Sequence, residues 1–365
     1  MKKGDPEKLF TALKERVAQI PKPTDQVYYD LAERIRPDDK EYVPRILARL
    51  ADAEQIKIVA ALPDPDAPAA SGKTLEISKQ FAAKLGMDKA KVQQHIQEMF
   101  QEGLLFATKK GPSMARTFVQ LHDAALGNPT YDKKLGREYF DLWGVLEGPM
   151  REPKKEDIRP GQTAFRVLPR WKSIENVPGV LPFEDVKGIL KAQDSIAVLH
   201  CGCKRSITDR WCGVPEESCV TVGRTAQYNI ERNAGRRITC EEALEVLDKF
   251  DKYPVANLTV NQRDVGQLIC NCHYCCCGAI KAAAPSRFAA VIDPEKCQGC
   301  KACLDRCQFG AVSMKSYPGL EGERAFVNEE NCRGCGSCVV GCKAQARTMK
   351  IVRPPEHIPE SLNIY

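Results

Sequence analysis

The chain has 365 residues, 43% hydrophobic and 28% charged, with a formal net charge of +6. Those totals describe a globular chain long enough for two or three domains, each with its own core. So mild a charge gives no electrostatic case for nucleic acid or a membrane surface. Cysteine is the anomaly: there are 18, and 17 of them fall between Cys201 and Cys342 outside the first turn of any predicted helix. The start, MKKGDPEKLF, has no apolar stretch after its lysines, and nowhere is there a run of about 18 apolar residues. A cytoplasmic location without a membrane span is therefore expected. Disulfide frameworks belong to small secreted chains, so thiols this dense in a reducing compartment are expected to hold metal.

Residues 1–45 read as polar helix with breaks at Pro21, Pro23, Pro37 and Pro44. The spacing of Ile46, Leu47, Leu50, Ile56, Val59 and Ala60 predicts helices from about 45 to 62. After the loop PDPDAPAASG comes a helix, a turn at Gly86, and a second helix capped by Asp88 and closed by Gly103. Two short apolar segments flank the turn KKGPS. Helix, turn, helix and wing is a winged-helix-like layout, assigned to residues 1–126. Residues 127–165, rich in Gly, Pro and charge, are expected to connect. A cysteine-rich α/β unit is expected over 166–290, with strands at TAFRVLPRW and DSIAVLHC, the latter delivering Cys201 at a strand end. Thr239 and Glu242 predict a capping box for CEEALEVLDKF, which makes Cys240 structural. Residues 291–352 form an internal repeat, and 353–365 an extended arm. The class is α+β.

CQGCKACLDRC places Cys297, Cys300, Cys303 and Cys307 at C-x2-C-x2-C-x3-C, and CRGCGSCVVGC repeats the spacing at Cys332, Cys335, Cys338 and Cys342. This is the run of bacterial two-[4Fe–4S] ferredoxins, in which the fourth cysteine serves the other cluster. The expected sets are Cys297, Cys300, Cys303 and Cys342 for one cluster, and Cys332, Cys335, Cys338 and Cys307 for the second. Zinc ribbons use separated C-x2-C pairs instead. VIDPEKC and AFVNEENC supply a strand before each run. The residue after the fourth cysteine is commonly Pro in such runs; here it is Gln308 and Lys343. A cation at Lys343 favours the more negative, reduced state of a nearby cluster.

Upstream lie HCGCKRSITDRWCGVPEESC, with Cys201, Cys203, Cys212 and Cys219, and ICNCHYCCC, with Cys270, Cys272, Cys275, Cys276 and Cys277. His200 and His273 sit among them. The motifs HCGCKR, CGVPEESC, GRRITCEEALEVL, ICNCHYCCC and CQGCKACLDRC, in that order, resemble a family of iron–sulfur proteins of anaerobic bacteria and archaea. Its members carry an N-terminal winged-helix-like domain and a C-terminal two-cluster ferredoxin domain. The resemblance covers roughly residues 45–352 and implies electron transfer; most members have no assigned reaction. Nine central cysteines suit a third [4Fe–4S] cluster and are numerous enough for a fourth; zinc is the alternative. Adjacent side chains point apart, so at least one of Cys275, Cys276 and Cys277 should be spare or serve a different centre.

The helix over 88–103 carries Lys89 and Lys91 against Asp88, Glu98 and Glu102. Without a positive excess it lacks the phosphate attraction that DNA binding requires, so a protein-docking role is expected. SGKT at 71–74 lacks the earlier glycine of a nucleotide loop, and no G-x-G-x-x-G follows a strand. The sequence therefore predicts an electron carrier that serves a redox partner or oxidoreductase complex. A redox-sensing transcription regulator and a reductase acting at the central cysteines are the competing readings.

Overall fold

Side-chain caps set the helix starts in the N-terminal part of the protein. A computed structural model describes residues 6–63, 74–151, 163–207 and 213–362. Asp52 makes a capping box with Gln55 and opens Ala53–Ala61. Ser78 caps Lys79–Lys84, Asp88 caps Lys89–Gln101, and Thr117 caps Phe118–Leu126. Each such cap is worth about 1 kcal/mol because it satisfies amide protons that the helix leaves unpaired. Pro44, expected as a break, stands instead in the first turn of Val43–Leu50, where its missing N–H costs no hydrogen bond.

The protein divides into two compact units. The first comprises Met1–Gly148, His200–Arg210 and Tyr228–Arg236; the second comprises Pro149–Leu199, Trp211–Gln227 and Arg237–Tyr365. In the first unit, Lys79–Lys84 and Lys89–Gln101 are followed by the hairpin of Leu105–Thr108 and Gly111–Met114. Its core gathers Ile46, Leu47, Ile56, Val92, Ile96, Met99, Leu121 and Trp143.

The first part of the stretch expected to connect, residues 127–151, is largely helical. Tyr131–Lys134 and Gly136–Arg151 are helices, and Tyr139, Phe140 and Trp143 are buried. Their spacing of one, three and four residues puts them on one helix face. Two later segments join this unit through arginines: Arg205 donates to Asn128 O (2.7 Å) and Asp132 (2.6 Å), and Arg232 donates to Ala124 O (2.8 Å). Most of the PDPDAPAASG loop, Ser71–Lys73 of SGKT, and Cys212 lie outside the described residues.

The second unit is built on a six-stranded sheet ordered Phe165–Leu168, Ala256–Val260, Leu268–Cys272, Glu217–Val222, Ile196–His200 and Arg236–Arg237. Polar residues within it are paired across strands. Asn257 Nδ2 donates to Asn271 Oδ1 (3.0 Å), Asn271 Nδ2 to Ser218 O (3.0 Å), and Thr259 Oγ1 to Leu268 O (2.9 Å). Buried amides satisfied in this way fix register rather than cost stability. Thr239 and Glu242 form the expected capping box on Cys240–Lys249.

Residues 288–351 hold two antiparallel ribbons: Phe288–Ile292 with Arg347–Ile351, and Val312–Ser316 with Glu323–Val327. The tail, expected as an extended arm, is tied down. It makes a short helical turn at Pro355–His357, buries Ile358, and its Pro359 O accepts from Arg263 N (3.0 Å).

Candidate metal centres

Each four-cysteine run is a tight loop leading into a short helix, Ala302–Arg306 in the first and Ser337–Val340 in the second. A shift of 35 residues carries Cys297 onto Cys332 and Lys301 onto Gly336. The backbone obeys that repeat: Gly299 and Gly334 both have φ +66°, and Lys301 and Gly336 have φ +63° and +73°. Left-handed residues at those positions turn the chain tightly between successive cysteines. A Cβ on Gly334 would overlap Phe288 O and Ser286 Oγ, so only glycine fits there.

Three thiols of the second run, those of Cys332, Cys335 and Cys338, lie beside Cys307 of the first. Cys332 and Cys338 lie in one apolar cluster with Phe288, Ala289, Ala311 and Met349, and Cys303 and Cys307 pack against it. Burial pushes the Cys335 thiol up to about 12, with Cys338, Cys332 and Cys307 adding to the shift, and pushes Cys338 up to about 11. Ala311 N donates to Cys307 Sγ (3.3 Å). Buried thiols of this kind are inert until a metal takes the proton's place, and backbone N–H donors aimed at sulfur suit a thiolate. The donor set fits an iron–sulfur cluster. Cys297, Cys300 and Cys342 are more open, and Cys300 is exposed.

Residues 289–343 match the 4Fe-4S dicluster domain. That match supports a ferredoxin-type iron–sulfur reading of this part of the chain, and such domains carry out one-electron chemistry on [4Fe–4S] clusters. No curated protein matches the chain. No helix among the described residues is long and apolar enough to cross a membrane.

Four of the central cysteines come together in the second unit. Cys219 and Cys270 are cross-strand partners with sulfurs 4.0 Å apart, and Cys270 and Cys272 share a sheet face because side chains alternate along a strand. Cys272 Sγ lies 3.2 Å from Cys277 Sγ. Hydrogen bonds with Cys270 and Cys277, together with burial, hold the Cys272 thiol well above the ordinary range. The three adjacent thiols diverge: Cys277 turns to Cys272, Cys276 to His273 O (3.5 Å), and Cys275 to His273 Nδ1 (3.0 Å). Among the described residues no three His, Cys, Asp or Glu side chains are arranged for a single metal ion.

This thiol array abuts the dicluster domain. Cys272 and Cys277 belong to an apolar cluster against which Cys335 and Phe309 pack. Gln308, where such runs commonly have Pro, accepts a hydrogen bond from Tyr274 N and donates to Cys272 O (3.3 Å). Its side chain therefore ties the ICNCHYCCC loop to the residue next to Cys307. That role was not visible in the sequence, where the position read only as a lost proline.

Cys201 and Cys203 fall in the first unit, at the start of the helical turn Gly202–Arg205. There Cys203 hydrogen-bonds His122, whose ring also meets Glu147 (2.5 Å) and Asp123 (2.8 Å). Burial alone would lower the His122 pKa; Glu147, Asp123 and Cys203 outweigh it and hold the imidazole well above its usual value. Nothing in the sequence marks His122, since 81 residues separate it from Cys203.

A buried cation faces the cysteine sulfurs, and it is not the one the sequence suggested. Lys343 is exposed, so solvent screens it. Arg347 is buried at 4% exposure, and the groups acting on it are Cys338 and Cys303.

Proposed function

We propose that the protein relays electrons between a donor and a partner oxidoreductase in anaerobic metabolism, through the dicluster domain and a third centre on the central cysteines. Cys297, Cys300, Cys303 and Cys342 hold one [4Fe–4S] cluster, and Cys332, Cys335, Cys338 and Cys307 the other. The closeness of Cys307 to Cys332, Cys335 and Cys338 supports the crossed set. Cys219, Cys270, Cys272 and Cys277 supply ligands for the third centre, and Cys201 and Cys203 are kept as ligands of a further one.

The observation that carries this reading is the packing of Cys335 against Cys272 and Cys277, with Gln308 joining Cys307's neighbour to Cys272. Two centres whose ligands share one apolar cluster are close enough to exchange electrons without solvent between them. The polar environment of the helix Lys89–Gln101 supports docking to protein rather than DNA: Lys91 is paired with Glu54 (2.7 Å), and His95 faces Glu54 and Glu98.

The test is Cys272→Ser in the full chain, purified anaerobically. Iron should fall by about four atoms per chain, one cubane's worth, while both dicluster EPR signals persist. An unchanged iron content would defeat the reading.

A further inference from the structure

The two halves of the dicluster domain differ in charge at the buried position 347. The 35-residue shift that superimposes the cysteine runs carries Val312 onto Arg347 and Ile292 onto Val327. The strand register obeys it: Val312 is the cross-strand partner of Val327, and Arg347 is the partner of Ile292. One half thus pairs two aliphatic side chains where the other pairs an aliphatic with a guanidinium. Repeat logic and burial both call for an apolar residue at 347.

Placing a cation there is costly unless something negative faces it. Among the described residues no carboxylate is paired with it. Both terminal nitrogens of Arg347 are buried, the residue is only 4% exposed, and among the described residues neither nitrogen makes a well-aligned hydrogen bond. The side-chain groups that face it are the sulfurs of Cys338 and Cys303. The guanidinium therefore lies between a thiol of the first run and a thiol of the second. Its planar fork of donors is suited to face two sulfurs at once, which a point-charge ammonium is not.

We infer that Arg347 is a positioning cation shared by the two clusters, inserted between Cys303 and Cys338 to favour the reduced state of both. Adding one electron to a four-thiolate cubane makes its charge more negative by one. A fixed, desolvated positive charge therefore stabilises the reduced form more than the oxidised form, and hydrogen bonds to the thiolate sulfurs act in the same direction. The inference rests on the reading that both runs hold [4Fe–4S] clusters. It holds for crossed or uncrossed ligation, because Cys303 and Cys338 belong to different clusters in either case.

The test is an EPR-monitored redox titration of the full chain, with iron quantified on every sample. Arg347→Met keeps the length and the apolar stem but removes charge and donors. It should weaken reduction of both clusters by about tenfold each, which lowers each potential by about 59 mV for a one-electron couple. Lys343→Met, which removes the exposed cation, should leave both potentials in place. Arg347→Lys decides the matter where the Met variant loads iron poorly: a single ammonium can face only one sulfur, so one potential should hold and the other fall about tenfold. Fully loaded Arg347→Met with wild-type potentials overturns the inference, as does Arg347→Lys with both potentials unchanged. Absence of iron and of EPR signals from the wild-type protein would instead defeat the cluster reading on which it rests.

Discussion

Gly334→Ala is the sharpest probe of how the fold presents the second run. Gly334 sits between Cys332 and Cys335 at φ +66°, in a loop stapled to the strand Phe288–Ile292. Ser286 Oγ donates to Gly334 O (2.8 Å), and Ser286 N donates to Arg333 O (3.0 Å). An added methyl incurs two separate costs. The left-handed backbone is disfavoured for an L-residue by about 1–2 kcal/mol. The methyl would also overlap Phe288 O and Ser286 Oγ, and overpacking of a filled site costs about 1–3 kcal/mol.

The expected loss is therefore about 2–5 kcal/mol. Gly310→Ala is the matched control. Its φ is +64°, but a Cβ there would have no atom within 4 Å, so it incurs only the backbone cost of about 1–2 kcal/mol. Anaerobic denaturant titrations followed by far-UV circular dichroism and by cluster absorbance would compare the two. Gly334→Ala should show the lower midpoint and a selective loss of iron from the second cluster. Equal midpoints and equal iron contents would refute the claim that loop-to-strand contact, rather than backbone handedness alone, positions these thiols.

Other expectations follow from the same geometry. Lys301→Gly relieves a left-handed lysine where the repeat has Gly336, and should stabilise the protein by about 0.5–1 kcal/mol after the added entropy of the unfolded chain, measured by denaturant midpoint. Gln308→Pro removes the bonds to Tyr274 N and Cys272 O; it should leave iron content intact and slow electron exchange between the dicluster and central centres in rapid-freeze EPR. Wild-type exchange rates in that variant would count against Gln308 as the link. Cys342→Ala should damage the cluster that shares Cys297, Cys300 and Cys303, converting its EPR signal to a three-iron form, and damage confined to the other cluster would contradict crossed ligation. Finally, the full chain should give no footprint on duplex DNA at physiological salt in either oxidation state, because Lys91 and His95 already face carboxylates.

The cysteine runs were legible because cluster ligation fixes spacing within a few residues, so chemistry is written locally. The strands and the Thr239–Glu242 capping box were legible for the same reason. What escaped the sequence depends on contacts between distant segments. Lys343 drew attention because it follows a cysteine, yet it is exposed, whereas Arg347, a few residues farther along the chain, is buried. A signal for Arg347 did exist, in the mismatch with Val312 once the halves are aligned. The helix Gly136–Arg151 was masked by the charge and glycine around its buried Tyr139, Phe140 and Trp143. The pairing of Cys203 with His122 had no sequence signal at all, since nothing local to either residue anticipates it.

The central claim is the proposed third centre on the central cysteines, beside two proposed for the dicluster domain. Iron and acid-labile sulfide per chain, measured on anaerobically purified full-length protein, test it most directly. About twelve of each, or more where a further centre forms, is the predicted result at four per cubane; about eight of each would contradict it and confine the electron path to the dicluster domain.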